Sequence, residues 1–309
     1  MVRSRGSAGL RSDGLTFFRG KAVTLYRRGR FATALVVFLS FFLLLASSAL
    51  AQKWSFAAFS DNRNFEVAYR NVLEEINSGG PPDPGVPKAD FVVAIGDIDP
   101  VKRTFQVFRE TLGPKLPFIP VRGNHEAPED VRFIIKDILP AETPPVTVYD
   151  HESATFYFDW KNVRLIVIDQ YAPYAKDLSG GTILKWVEDA ILSAKKADHV
   201  FISFHEPRFA ADFHSDPFWS LLLKHSGKVK AVLCGHSHMY GRLHVPDSHG
   251  GIEFIDVGNA GNPGHSDGMN TFVQICIDGK NAAFRTVQAP DKTKNFKVTD
   301  AWKVRDAKK

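Results

Sequence analysis

Short apolar runs alternate with amphipathic stretches from Trp54 onward. WSFAAF (54–59) predicts a strand, and Phe65, Tyr69, Val72, Leu73 and Ile76 fall at helical spacing after Asn64, a residue suited to capping. Gly79-Gly80-Pro81-Pro82 breaks that helix. The unit then repeats: FVVAI (91–95) precedes a helix over about 102–112, and PFIPV (117–121) precedes one over 130–139. Residues 154–160 and 163–169 read as a hairpin turning at Lys161-Asn162. Ile183, Val187, Ala190, Ile191 and Ala194 mark another helix, and strands follow at 199–204, 230–234, 252–257, 271–277 and 282–287. The pattern predicts an α/β fold, a single domain with two sheets and flanking helices, over residues 52–290. Residues 291–309, where lysines alternate with acids, read as a polar, solvated tail.

Composition agrees with a globular core: 44% of the 309 residues are hydrophobic and 12% aromatic. The net charge of +5 is unevenly placed. Residues 1–51 carry eight basic side chains against Asp13 alone, a net of +7, which leaves −2 for the remaining 258 residues. This leader has a basic stretch ending RRGR, an uncharged run from Phe31 to Leu50, and Ala49-Leu50-Ala51 before Gln52. That is the layout of a secretory signal cleaved after Ala51, giving a secreted or periplasmic protein. An uncleaved anchor with an exported domain is the alternative, because the apolar run is long enough to span a bilayer. Only in that case is the membrane a partner. Cys234 and Cys276 both lie in apolar runs, which favours buried thiols over a disulfide.

The chemistry-bearing residues fall at strand ends. Asp61 follows the first strand, Asp97 the second, and Asn124-His125 the third, while His205 ends VFISFHEP and His236 with His238 ends AVLCGHSH. In extended backbone, residues two apart point to the same side, so the two imidazoles of the H-S-H stretch can converge. Alone, each residue has a bland reading as a cap, turn or loop polar group. Five strand ends that all carry metal-type ligands do not.

The ordered series SDNR, GDID, GNHE, FHEP and GHSH resembles the calcineurin-like metallophosphoesterase superfamily, whose blocks run D-x-H, G-D, G-N-H-D/E, a single H and G-H-x-H. The resemblance spans roughly residues 54–287. It implies a two-sheet α/β sandwich with flanking helices and two divalent ions, with Mn, Fe, Zn and Ni all compatible. Such ions, about 3.5–4 Å apart, bind phosphate oxygens and activate water for in-line attack. Carried over by position, Asp97 would bridge; Asn124, His205 and His236 would complete one site; Asp61 and His238 would hold the other. His125 matches the histidine that stabilises the transition state or protonates the leaving oxygen. Glu126 would orient that imidazole.

One position departs from the pattern. Where the family has a second histidine two residues after the first aspartate, this chain has Arg63. A guanidinium cannot ligate a cation, so one site loses a ligand and is expected to be weaker. Arg63 could hold substrate phosphate or pair with Asp99. The sequence G-D-I-D-P lacks the tyrosine of the purple acid phosphatases and the G-D-x-x-D-R-G of the Ser/Thr protein phosphatases. Tyr240, Arg242, Phe213 and His214 could line the pocket or merely pack, and the run Gly258–Asn262 resembles a turn that closes the site in this superfamily. A small phosphorylated substrate is expected, phosphomonoester or phosphodiester. Duplex nucleic acid is not, because a −2 domain has no basic footprint for it. A noncatalytic relative that binds a phosphorylated or polyanionic ligand is the alternative reading.

Overall fold

The computed structural model describes residues 53–83, 85–142, 145–262 and 266–304. The basic leader, its apolar run and the cleavage pattern at Ala51 lie outside the described residues. Two sheets form the molecule. The first has the order β13-β12-β11-β1-β2-β3, from β1 (Trp54–Phe59), β2 (Ala89–Ile95), β3 (Phe118–Val121), β11 (Met269–Asp278), β12 (Asn281–Pro290) and β13 (Lys297–Lys303). The second has the order β4-β5-β6-β7-β8-β10-β9, from β4 (Thr147–Val148), β5 (Phe156–Trp160), β6 (Val163–Val167), β7 (His199–Ser203), β8 (Val229–Cys234), β9 (Tyr240–Val245) and β10 (Ile252–Val257). Strands β1, β2 and β3 pair in parallel, as do β6, β7, β8 and β10.

Helices supply the crossovers that parallel pairing requires. These are α1 (Glu66–Ser78) and α2 (Val101–Leu112) in the first half; α3 (Pro128–Phe133), which runs into a π-helical segment, Ile134–Ile138, instead leads from β3 to the second sheet. In the second half they are α4 (Gly181–Ser193) and α5 (Pro217–Lys224). Among the described residues no helix is long and apolar enough to cross a membrane.

The period-2 pattern of the second sheet sorts its side chains onto two cores. Leu165, Val167, Phe201, Leu233 and Ile255 join the core shared with the first sheet. Ile166, Ile202, Val232 and Phe254 point the other way and pack with Val187 of α4 and Trp219 of α5. Rings interlock between the sheets. Phe91 of β2 stacks on Phe56 of β1 at 4.8 Å and meets Phe158 of β5 edge-on at 5.5 Å, while Phe56 meets Phe201 of β7 at 5.2 Å. Both cysteines are free and buried, so this core carries the fold without a crosslink between them.

Three local expectations change. Asn64 does not cap α1 with its side chain: the cap position is Phe65, which makes no side-chain cap bond. The eight-residue α5 escaped the pattern because it is apolar on nearly every face. It is set by Asp216, whose carboxylate accepts from the amides of Phe218 and Trp219 at 3.1 Å, with Pro217 following the cap. The stretch read as a solvated tail contains β13. Trp302 stacks on Phe284 at 5.0 Å, and Asp300 accepts from Tyr240 and Arg242 of β9, tying the edges of the two sheets together.

Because Phe91 is 0% exposed and contacts rings from both sheets, its removal should open a cavity between them. Phe91→Ala is expected to lower the unfolding free energy by about 3–5 kcal/mol. Urea unfolding reads this directly, and a loss below about 1 kcal/mol would show that the inter-sheet rings do not hold the fold.

Candidate metal centre

The parallel sets place their carboxyl ends along one edge of each sheet, and the two edges meet. A glycine precedes Asp97, Asn124 and His236, and each has a steric reason. A Cβ on Gly96 would strike the His205 ring, one on Gly123 would strike the Asp97 backbone and carboxylate, and one on Gly235 would strike the Ser60 side chain. The ligand-type residues themselves turn sharply. Asp61 (φ 56°), Arg63 (39°), Asp97 (51°), His236 (73°) and His238 (57°) all occupy left-handed backbone, which L-residues seldom adopt. Loop-to-loop bonds hold them there: Asp61 N donates to Gly96 O at 3.1 Å, Arg63 N to Asp97 O at 3.1 Å, and Gly235 N to His205 O at 2.9 Å.

Two donor groups result, and they share Asp97. Asp97, His205 and His236 form one, Asp61, Asp97 and His238 the other, with the ligand atoms of each within 4.8 Å of one another. Asn124 Oδ1 lies 3.1 Å from His236 Nδ1, which adds an amide oxygen to the first group. Asp61 and His205 are 0% exposed and Asp97 2%, whereas His236 reaches the surface.

Several atoms are held ready. His205 Nδ1 lies 2.8 Å from the Ile95 carbonyl, which it can only meet as a donor, so the facing Nε2 is the ring's free position. That buried Nε2 has no hydrogen bond, nor has the buried Asp61 Oδ1. Nε2 sits 3.2 Å from Asp97 Oδ1 and 3.9 Å from Asp61 Oδ1, and His238 Nε2 is 3.4 Å from the same Asp61 oxygen. The other Asp61 oxygen is fixed by Ser60 Oγ at 2.5 Å and His236 N at 2.8 Å. Burial opposes the charge on His205, but Asp97 and Asp61 outweigh it and hold the imidazole at about 9. Burial likewise opposes ionisation of Asp97, yet His205 keeps its carboxyl below the usual range. Buried polar atoms without hydrogen-bond partners that converge around one carboxylate, in a set of imidazole, carboxylate and amide groups, fit a divalent transition ion that displaces the His205 Nε2 proton.

Around these ligands stand the other residues singled out by sequence. The exposed His125 imidazole places Nε2 3.7 Å from Asp97 Oδ2, and its amide donates to Asp97 Oδ1 at 3.1 Å. Arg63 pairs with Asp99 (Nε to Oδ1, 3.1 Å) and still brings Nη1 within 3.5 Å of His125 Nε2. The pairing with Asp99 is thus formed, and Nη1 faces the His125 ring.

Glu126 requires a correction. Its carboxylate does not reach His125; it accepts from the backbone amides of Gly123, Ile98 (2.7 Å) and Asp97 (3.3 Å). Burial and the nearby Asp97 charge raise it to about 7. It joins the two loops that carry Asp97 and Asn124, and so braces those loops and not the imidazole.

Three other side chains mentioned for the pocket turn elsewhere. Tyr240 and Arg242 serve Asp300, and Phe213 packs on Trp219 at 4.9 Å. Conversely, the turn after β10 has a definite task. Ala260 N donates to Ser60 O and Asn262 N to Asp61 O, while the side chain of Asn259 donates to His238 O at 3.4 Å. The turn thus braces Asp61 and His238 from behind, and the Gly-Asn run was its only trace in the sequence.

The family model for calcineurin-like phosphoesterase matches residues 56–240. No curated protein matches the chain by sequence. Among solved structures, the chain is similar to a predicted phosphoesterase of Streptococcus pneumoniae TIGR4, with 12% identity, TM-score 0.40, and 82% of this chain and 98% of that one covered. It is similar also to Zn-complexed Vps29 of Entamoeba histolytica, with 13% identity, TM-score 0.41 and coverage of 81% and 98%. A third is TT1561 of Thermus thermophilus, with 14% identity, TM-score 0.44 and coverage of 72% and 94%.

Glu126→Ala leaves at least two buried amides without an acceptor, at roughly 1–3 kcal/mol each. The expected result is a loss of about 2–6 kcal/mol in stability and a Mn²⁺ affinity lowered by at least about tenfold, with Glu126→Gln partly restoring both. Denaturant unfolding and calorimetric metal titration would read the two effects. A fully stable Glu126→Ala protein would refute the bracing role.

Proposed function

Because the chain belongs to the calcineurin-like phosphoesterase family, we propose that it is a metal-dependent hydrolase of small phosphomonoesters or phosphodiesters. The observation that carries this reading is Asp97, shared by two groups of donors, with the His125 imidazole exposed beside it. Asn124, His205 and His236 would complete one metal site with Asp97, and Asp61 with His238 would hold the other. Divalent cations held there would supply charge neutralisation for phosphate oxygens and a more acidic water.

The chain's own residues supply the rest. His125 is close enough to Asp97 to be oriented by its carboxylate, and its accessible ring can give a proton to the departing oxygen. Arg63, anchored by Asp99, keeps Nη1 beside that ring, where a phosphate oxygen would find a fixed positive charge. Arg63 also supports a second reading, since it stands where a ligand would: a protein that binds metal and a phosphorylated ligand without turning it over.

Hydrolysis of a chromogenic phosphodiester and the matching monoester by the Mn-loaded full chain tests this. His125→Ala should keep its metal and lose about 10²- to 10⁴-fold in kcat. Asn124→Ala should lose both metal and turnover. Unchanged turnover in both variants would overturn the assignment, and metal uptake with no turnover of either ester would leave the binding protein.

The leader, with its basic stretch, apolar run and Ala49-Leu50-Ala51, supports export of the catalytic domain. N-terminal sequencing of the exported protein should begin at Gln52. Retention of residues upstream of Phe31 would identify a membrane-anchored form instead.

A further inference from the structure

A second cationic feature adjoins the metal centre and is used by none of its residues. The loop that carries Asn124 and His125 is bounded by Arg122 and Pro128, and both line one depression of about 370 Å³. Arg132 and Lys136, on α3 and its π-helical extension, complete its wall together with His151 and Glu152.

Basic side chains outnumber acids in the lining of this depression. Arg132 and Lys136 are exposed, four residues apart on one helical run, and neither makes an ion pair among the described residues. The same two side chains also line an adjoining depression that holds Lys102 and the acids Glu129, Asp130 and Asp137, so they have acidic neighbours without an ion pair to them. Glu152 is the one acid lining the depression. Arg122 is differently held: the buried Asp169 fixes its Nη1 at 3.3 Å, and its guanidinium lies 5.5 Å above the Tyr171 ring. Its Nε is buried without a hydrogen bond. Since Arg122 and Asn124 are two residues apart, their Cα atoms lie within about 7.6 Å. The loop that carries Asn124 therefore also forms the rim of this depression.

We propose that the depression formed by Arg122, Arg132 and Lys136 is an accessory anion subsite, which receives a second phosphate group of a substrate whose first phosphate lies at the metal centre. The inference rests on the phosphoesterase reading. Forked guanidinium donors match phosphate oxygens, and the helical pair adds two further positive charges, neither of them engaged in an ion pair. The substrate class is thus a small molecule with two separated phosphates.

Calorimetric binding of alkane-α,ω-bisphosphonates of increasing chain length to the Mn-loaded full chain tests the subsite without requiring turnover. At one chain length the bisphosphonate should bind at least tenfold more tightly than the alkylmonophosphonate of the same length, and the Arg132→Ala/Lys136→Ala variant should lose that advantage. An ω-carboxyalkylphosphonate forms the third arm: affinity equal to the bisphosphonate would overturn the phosphate preference. The proposal fails if no chain length exceeds the monophosphonate, or if the advantage survives in the double variant. Monoester hydrolysis, measured in parallel, should be unchanged by the double substitution; a wild-type protein that binds as expected but hydrolyses nothing would sink the catalytic reading and leave the anion subsite standing.

Discussion

Two carboxylates buried at the junction of two sheets govern the arrangement around them. Asp61 is 0% exposed and Asp97 2%, and both belong to one group of converging donors. Two unit charges about 4 Å apart repel by roughly 4 kcal/mol even at an effective dielectric of 20. Such a pair persists only where positive charge stands between or beside it. His205 supplies part of that charge in the protein itself, which is why its imidazole is held at about 9 despite burial. Its Nε2 proton, aimed at Asp97 and Asp61, stands where a cation would displace it and take over the role.

This constraint reaches back into the backbone. Parallel strands can deliver side chains to a common edge, but not at the spacing a metal needs; the chain must turn within one or two residues of each strand end. Glycines at 96, 123 and 235 permit the close approach of one loop to the next, and left-handed backbone at the ligands aims the side chains inward. Glu126 and the Asn259 turn then brace the loops from the protein side. The positions of strain and the positions of chemistry coincide because the surrounding bonds hold geometry that the residues alone would not adopt.

Much of this is legible in the sequence. The strands of the parallel sets are short, apolar and bounded by helices, so periodicity sufficed to find them. The ligand-type residues were legible because each follows such a strand. What escaped has a common cause, which is that its determinants are remote in sequence. Strand β9 pairs with β10 but shows a largely polar, exposed face, and β13 stands on contacts of Trp302 and Asp300 with Phe284, Tyr240 and Arg242. Glu126 adjoins His125 in sequence, and adjacency suggested that it served the imidazole. Its partners are instead amides on two loops, a pattern that only the folded backbone reveals.

Anomalous diffraction from crystals of the full chain grown with Mn²⁺ tests the central claim most directly. The account predicts a strong anomalous peak within ligand distance of Asp97, His205 Nε2 and His236, and a weaker one between Asp61, Asp97 and His238, where Arg63 replaces a ligand. No peak at Asp97, with Mn²⁺ bound elsewhere or nowhere, would contradict it.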